Sequence, residues 1–305
     1  MGIAAVAGGF VKHTMMEART IPDDLRPLPL SFWVRKTHTP DKFNVTIIGD
    51  SRVYRGVAPE VLEQELPGTA VLNLGYSSAG LAGDLCRLAE EKLVPSGLRC
   101  IVLGVSPLSL FPSSSENEHL NQFTRISGAR GWLLSEAPWI DVLFSPRPAP
   151  DVANWVLKRG DWASPESFRK GNFQIPHGSG WVESWRVPEK PDWALASYAK
   201  KFAAERPSPK VLGELCGFVS RWHAAGILVI AFRPPSTLRM ERLEDRMSLL
   251  PEQEIRRRLT GNGAKWLDIT DRYGYHSYDG SHLTADAARR LSGVIGKGLR
   301  EALAE

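Results

Sequence analysis

Ser51 follows Gly49 and Asp50 directly after the apolar run FNVTII, and Asp279 stands three positions before His282 in YDGSHLT. A serine hydroxyl attacks a carbonyl only when a neighbouring base takes its proton, and an imidazole does this best when a carboxylate fixes its tautomer. The D-x-x-H spacing lets one turn present both the Asp279 carboxylate and the His282 ring. Acyl chemistry also needs donors aimed at the oxygen that becomes negative. The amide of Ser51, at a helix start, is one candidate. The amide of Gly75 in NLGYSSAG is another, because a glycine lets the backbone approach closely. The plainer reading is an ordinary turn after a strand, with Asp50 capping the segment that follows. His276 is the other histidine near the end of the chain, and an exposed loop position is the simpler account of it.

These residues can meet only if the fold brings distant turns together. From Phe43 onward the runs FNVTII, TAVLNL, RCIVLG, ILVIAF and AKWLDI are short, apolar or β-branched, and bounded by Gly, Pro or Asp. Such runs suit strands buried on both faces. Helical patterns lie between most of them: APEVLEQEL, AGDLCRLAEEKL and VLGELCGFVSRWHAAG. A final helix from Thr284 carries Ala287, Leu291, Val294, Ile295, Leu299 and Leu303 at helical spacing. Strand and helix in alternation predict βαβ units and a parallel sheet of about five strands. In such sheets ligands bind beyond the carboxyl ends of the strands, where both GDSR and YDGSHLT fall.

Two regions stand outside this pattern. Residues 1–42 are rich in proline and polar groups and are expected to form an arm or cap, leaving 43–305 as the main domain. The third and fourth strands are separated by more chain than one crossover needs, so about 111–207 reads as an insertion. It holds Trp132, Trp139, Trp155, Trp162, Trp181, Trp185 and Trp193, with helix in DVANWVLKRG and DWALASYAKKFAAE and a loop-like centre in GNFQIPHGSGW. Buried anchors are the usual use of tryptophan, and stacking against sugar rings is the less common one.

In Gly49-Asp50-Ser51, Asn73-x-Gly75 and Asp279-x-x-His282, in this order and each after a strand, the chain resembles the SGNH hydrolases, also called the GDSL esterase and lipase superfamily. The resemblance spans about 43–110 and 211–303. It implies a flavodoxin-like three-layer α/β/α sandwich and the hydrolysis or transfer of acyl groups on sugars, lipids and other small esters. It makes Ser51 the nucleophile, His282 the base and Asp279 its orienter, with the Ser51 and Gly75 amides in the oxyanion hole and Asp50 steadying the loops of the substrate site. The family's third block usually reads G-x-N-D. Here the stretch is Gly104-Val105-Ser106-Pro107, so the hydroxyl of Ser106 stands where an asparagine amide is expected. In this departure the chain is similar to the divergent branches that act in polysaccharide O-acetylation and teichoic-acid alanylation. Arg233, in AFRPPS after the fourth strand, either binds a substrate anion or the oxyanion, or forms a salt bridge with an acidic neighbour. The expected activity is a serine esterase or O-acyltransferase acting through a covalent acyl-enzyme; the alternative is a carbohydrate-binding protein that keeps the fold with weakened catalysis.

Bulk properties fit this reading. An apolar fraction of 43% and a charged fraction of 24% over 305 residues describe an ordinary globular chain. The net charge of +4 is spread among interleaved acids, as in RLEDRM and IRRRL, which argues for solvated faces and against nucleic-acid binding. Cys86, Cys100 and Cys216 lack metal or disulfide spacing and read as buried thiols. Neither a metal nor a cofactor is expected, and the partner is a small acyl ester or acylated carbohydrate. No run is long enough to span a membrane. The apolar stretch GIAAVAGGFV has no basic segment before it and no clear cleavage site after it, so a soluble cytoplasmic location is preferred to export.

Overall fold

Five parallel strands set the geometry of the molecule. The computed structural model describes residues 21–22, 30–126, 128–136 and 171–304. The chain begins with β1 (Ile21–Pro22), α1 (Leu30–His38), β2 (Val45–Gly49), α2 (Ser51–Gly56), α3 (Pro59–Glu65) and β3 (Val71–Asn73). It continues through α4 (Gly83–Glu91), β4 (Cys100–Gly104), α5 (Glu118–Thr124) and α6 (Gly128–Glu136). Next come β5 (Gly171–Pro176), β6 (Val182–Val187), α7 (Trp193–Ala204), α8 (Pro209–Ala224) and β7 (Leu228–Phe232). Last are α9 (Leu238–Ser248), α10 (Glu252–Thr260), β8 (Lys265–Trp266) and α11 (Ala285–Ala304). Single turns of helix lie at Pro107–Leu110, Pro112–Ser115 and Arg272–Gly274.

The main sheet runs β3-β2-β4-β7-β8 and every pairing is parallel. Its central strands VTIIG and CIVLG are buried throughout, as runs of β-branched and apolar residues covered on both faces should be. Alternation along these strands divides two cores. Ile48, Leu72, Ile101 and Leu103 pack with Leu85 of α4 and with Leu215 and Trp222 of α8. Val45, Ile47, Val102 and Ile230 pack with Leu62 of α3 and with Leu291 and Leu299 of α11. The result is the expected three-layer α/β/α sandwich. The strand order reverses between β2 and β4, which opens a crevice beyond their carboxyl ends.

The structure departs from the sequence reading in three places. GNFQIPHGSGW is not loop-like: it forms β5 and the turn before β6, an antiparallel hairpin that β1 extends through Ile21 opposite Gln174. The last sheet strand keeps only Lys265–Trp266 of AKWLDI, because an edge strand pairs on one side alone. The segment 30–38 is a helix whose Trp33 stacks on Phe123 and Tyr76 inside the first core, so this part of the expected arm is built into the domain. The expected helix DVANWVLKRG and Trp139, Trp155 and Trp162 lie outside the described residues. Cys86, Cys100 and Cys216 are buried thiols. No helix among the described residues is long and apolar enough to cross a membrane.

Candidate active site

Ser51 opens α2 immediately after β2. Asp50 caps the helix, accepting the Arg52 N–H at Oδ1 (2.9 Å). The turn containing Asp279 precedes α11 and is fixed by its own backbone: Asp279 Oδ1 accepts the N–H groups of Ser281 and His282, both at 2.8 Å. Gly280 takes a positive φ of 95° in this turn, and a Cβ there would come within 2.2 Å of the Pro191 carbonyl. The two turns converge at the reversal of strand order. His282 Nε2 lies 2.9 Å from Ser51 Oγ, and His282 Nδ1 lies 2.7 Å from Asp279 Oδ2.

The electrostatics suit proton transfer along this line. Burial alone would raise the Asp279 pKa, but the facing His282 ring and the hydrogen bonds from His282 and Ser281 outweigh it, and the value falls to about 2. Asp279 is therefore ionised at neutral pH. It favours the His282 tautomer with a proton on Nδ1, which leaves Nε2 to accept the Ser51 proton. A ring so placed can deprotonate a serine attacking an acyl carbon and later return that proton to a leaving alcohol.

The other residues singled out from the sequence are placed differently. The hydroxyl of Ser106 donates to Asp50 Oδ2 and accepts from Ser109 N–H, capping the turn at Pro107–Leu110, so it is spent on the scaffold and not aimed at substrate. Asp50 lines the cleft, but both its carboxylate oxygens are taken by Arg52 and Ser106, and its part is to tie the end of β2 to the end of β4. The Gly75 N–H donates to Asn73 Oδ1 (2.9 Å), and a Cβ at Gly75 would lie 2.7 Å from Tyr54 N. The close approach expected of that glycine is real, while its amide is already engaged. Ser51 N–H has no acceptor among the described residues.

Arg233 does not reach the cleft. It is buried against Glu244 at 3.1 Å, Asp245 at 2.7 Å and Glu252 at 3.0 Å, so of its two readings the salt bridge holds. His276 is exposed and pairs with Glu189 at 2.7 Å. Among the described residues no group of three or more His, Cys, Asp or Glu side chains could hold a metal ion.

Four residues near the site, Arg52, Glu244, Ser281 and Tyr198, were not singled out from the sequence. Arg52 pairs with Glu244 at 2.5 Å, with both side chains out of solvent, and its Nε donates to Ser281 Oγ at 3.1 Å. Ser281 Oγ is in turn 2.6 Å from the hydroxyl of Tyr198 on α7. One guanidinium thus joins the turn of Ser51, the turn of His282 and the helix that walls the cleft. Glu244 comes from RLEDRM, which reads as a solvated run; helical spacing would have put Met240, Leu243 and Glu244 on one buried face.

The cleft beside Ser51 has a volume of about 460 Å³. Its lining includes Ser77 and Ser78, the apolar side chains of Leu108 and Phe111, and Tyr198 and Lys201 of α7. Among the described residues no tryptophan lines it: Trp181 is buried with its Nε1 on the Arg55 carbonyl, and Trp193 is 54% exposed under Arg186.

No family model and no curated protein gives a match to this chain. Solved structures similar to it include two esterases. One is a carbohydrate acetylesterase family member from Sinorhizobium meliloti, with 14% identity over 86% of this chain and 99% of that one and a TM-score of 0.36. The other is the inhibitor-bound aryl esterase of M. smegmatis, with 13% identity over 84% of this chain and 98% of that one and a TM-score of 0.36.

Proposed function

We propose that the chain is a serine-dependent acyl-ester hydrolase or O-acyltransferase of the SGNH type, acting on acylated sugars or other small polar esters. The observation that carries this reading is the continuous line from Ser51 Oγ through the His282 ring to Asp279, at 2.9 and 2.7 Å. Ser51 Oγ attacks the acyl carbon as its proton passes to His282 Nε2. Asp279 balances the imidazolium, and the Ser51 N–H receives the oxyanion. Collapse expels the alcohol, which takes the proton back from His282 and leaves the acyl group on Ser51. Water or a sugar hydroxyl, deprotonated by the same ring, then attacks the acyl carbon, and the bond to Ser51 Oγ breaks as that oxygen takes the proton back from His282. These steps call on no cofactor. The apolar lining residues Leu108 and Phe111 suit a short acyl group, and the polar ones, Ser77, Ser78 and Lys201 among them, suit a hydroxyl-rich leaving group. Residues 111–207 act in this scheme as the insertion that selects the substrate.

One observation favours the second reading, a binding protein of the same fold with weakened catalysis. The Gly75 amide and the Ser106 hydroxyl, two of the three donors expected for the oxyanion, are committed elsewhere. Loss of one such donor costs about a hundredfold to a thousandfold in rate. Turnover of a panel of p-nitrophenyl esters and acetylated sugars, with and without an acceptor sugar, separates the two. Turnover that Ser51→Ala or His282→Ala lowers by about 10³-fold or more supports the enzyme. Binding of the sugars with no turnover above the Ser51→Ala background supports the binder.

A further inference from the structure

A lysine far from the GDS turn in sequence is held against the backbone beside it. Lys36, on α1, is 3% exposed. Its Nζ donates to the Gly75 carbonyl at 2.5 Å and to the Gly180 carbonyl, in the β5–β6 turn, at 3.0 Å. The rings of Phe32, Trp33, Tyr54 and Tyr76 surround it, with centroids 5.0 to 5.6 Å from Nζ. Burial pushes its pKa well below the usual range, with no carboxylate among the described residues to oppose the shift. A long, ionisable side chain in such a place costs the fold more than a methionine of the same length would.

The carbonyl that Lys36 holds belongs to a peptide fixed at both ends. Its oxygen, on Gly75, accepts from Lys36; its N–H, on Tyr76, donates to the Gly49 carbonyl at 3.1 Å. Peptide planarity makes these two restraints one, since the oxygen and hydrogen cannot turn independently. The plane therefore links α1 to the residue that precedes Asp50 and Ser51. Ser77 and Ser78, which follow Tyr76 directly, line the same cleft as Ser51.

We propose that Lys36 is a positioning residue for the Ser51 site: by holding the Gly75–Tyr76 peptide plane it fixes the 75–79 loop against the nucleophile turn. Either protonation state can do this, because an amine and an ammonium both have enough N–H groups for two carbonyls. The catalytic consequence rests on the esterase reading; the hold on the loop does not. The hydrogen bonds tie α1 to the Gly75 loop and the β5–β6 turn, so this helix serves as part of the scaffold of the site.

The test compares the full-length wild type with Lys36→Met and Lys36→Gln by hydrogen exchange and by p-nitrophenyl acetate hydrolysis. In Lys36→Met, exchange over residues 74–80 is expected to rise by about tenfold or more, with β2 and β4 unchanged. The same variant is expected to lose about 10- to 100-fold in kcat with KM held within about twofold, the signature of a misplaced reacting geometry. Lys36→Gln, which keeps a donor on a shorter arm, falls between. Unchanged exchange over 74–80 overturns the proposal, and so does faster exchange spread through β2 and β4, which marks a general packing role. Raised loop exchange with unaltered kcat removes the catalytic consequence. A wild type inactive on every ester sinks the esterase reading, and the exchange comparison still decides whether Lys36 holds the loop.

Discussion

Two buried basic side chains reach the turns around Ser51, and they are held in opposite ways. Arg52 has a carboxylate of its own: Glu244 meets its guanidinium inside the protein, and Arg233 shares that carboxylate. Burial alone would lower the Arg52 pKa, but Glu244, Tyr198 and Asp50 overcome it and the value rises. Lys36 has only carbonyls and ring faces, and there burial wins. The difference teaches where each charge does its work. Arg52 and Glu244 form a joint whose halves depend on each other, since a buried charge that loses its partner is left with its full desolvation penalty. Lys36 orients a peptide at a net cost to stability, as groups at functional sites often do.

The sharpest break in this comparison is to strand one member of the pair. Glu244→Ala leaves Arg52 buried without its carboxylate and is expected to lower unfolding free energy by about 3–5 kcal/mol, measured by urea denaturation at pH 7. A loss under about 1 kcal/mol would mean that the guanidinium finds water or another partner.

Asp279 supplies the next effect, through pH. Its folded pKa of about 2 lies below the ordinary 3.8. The unfolded chain therefore takes up this proton first as the solution is acidified. The resulting stabilisation is complete above pH 4, is lost between about pH 4 and pH 2, and amounts to about 2 kcal/mol. Asp279→Asn removes that part of the acid transition, which unfolding curves at pH 2.5, 4 and 6 will show as a flattened slope.

Lys36 gives the smallest change and the opposite sign. Its lowered pKa is destabilising below the ordinary value of 10.5, because the unfolded chain binds the proton more tightly. Wild-type stability relative to Lys36→Met should rise as pH climbs from the lowered folded value toward 10.5. At pH 7 the variant should stay within about 1 kcal/mol of wild type, since a similar volume replaces the side chain. A loss comparable to that of Glu244→Ala would make the two basic side chains alike and remove the contrast.

The comparison also explains what could be read from the sequence. The meeting of Ser51, Asp279 and His282 was legible because each sits in a turn whose residue types are demanded locally, and the strand runs around them fix which end of the sheet they share. The sandwich itself followed from fully apolar strands such as VTIIG and CIVLG. Glu244 and Lys36 were not legible. Each lies among charged or polar neighbours, and its burial is decided by elements far away in the chain: Arg52 for one, and the β5–β6 turn and the Gly75 loop for the other. Ser106 was misjudged for a related reason. A hydroxyl after a strand can serve a substrate or a buried carboxylate, and only the position of Asp50 decides which. The β5–β6 hairpin was missed because His177-Gly178-Ser179-Gly180 dominates its composition, although those residues make only the turn between two strands.

The account stands most directly on the reactivity of one hydroxyl. Incubation of the full-length protein with a fluorophosphonate, followed by peptide mapping, should place a single adduct on Ser51. The adduct should vanish in Ser51→Ala and form far more slowly in His282→Ala. An unmodified Ser51 across pH 6 to 9, or equal modification in wild type and His282→Ala, would contradict it.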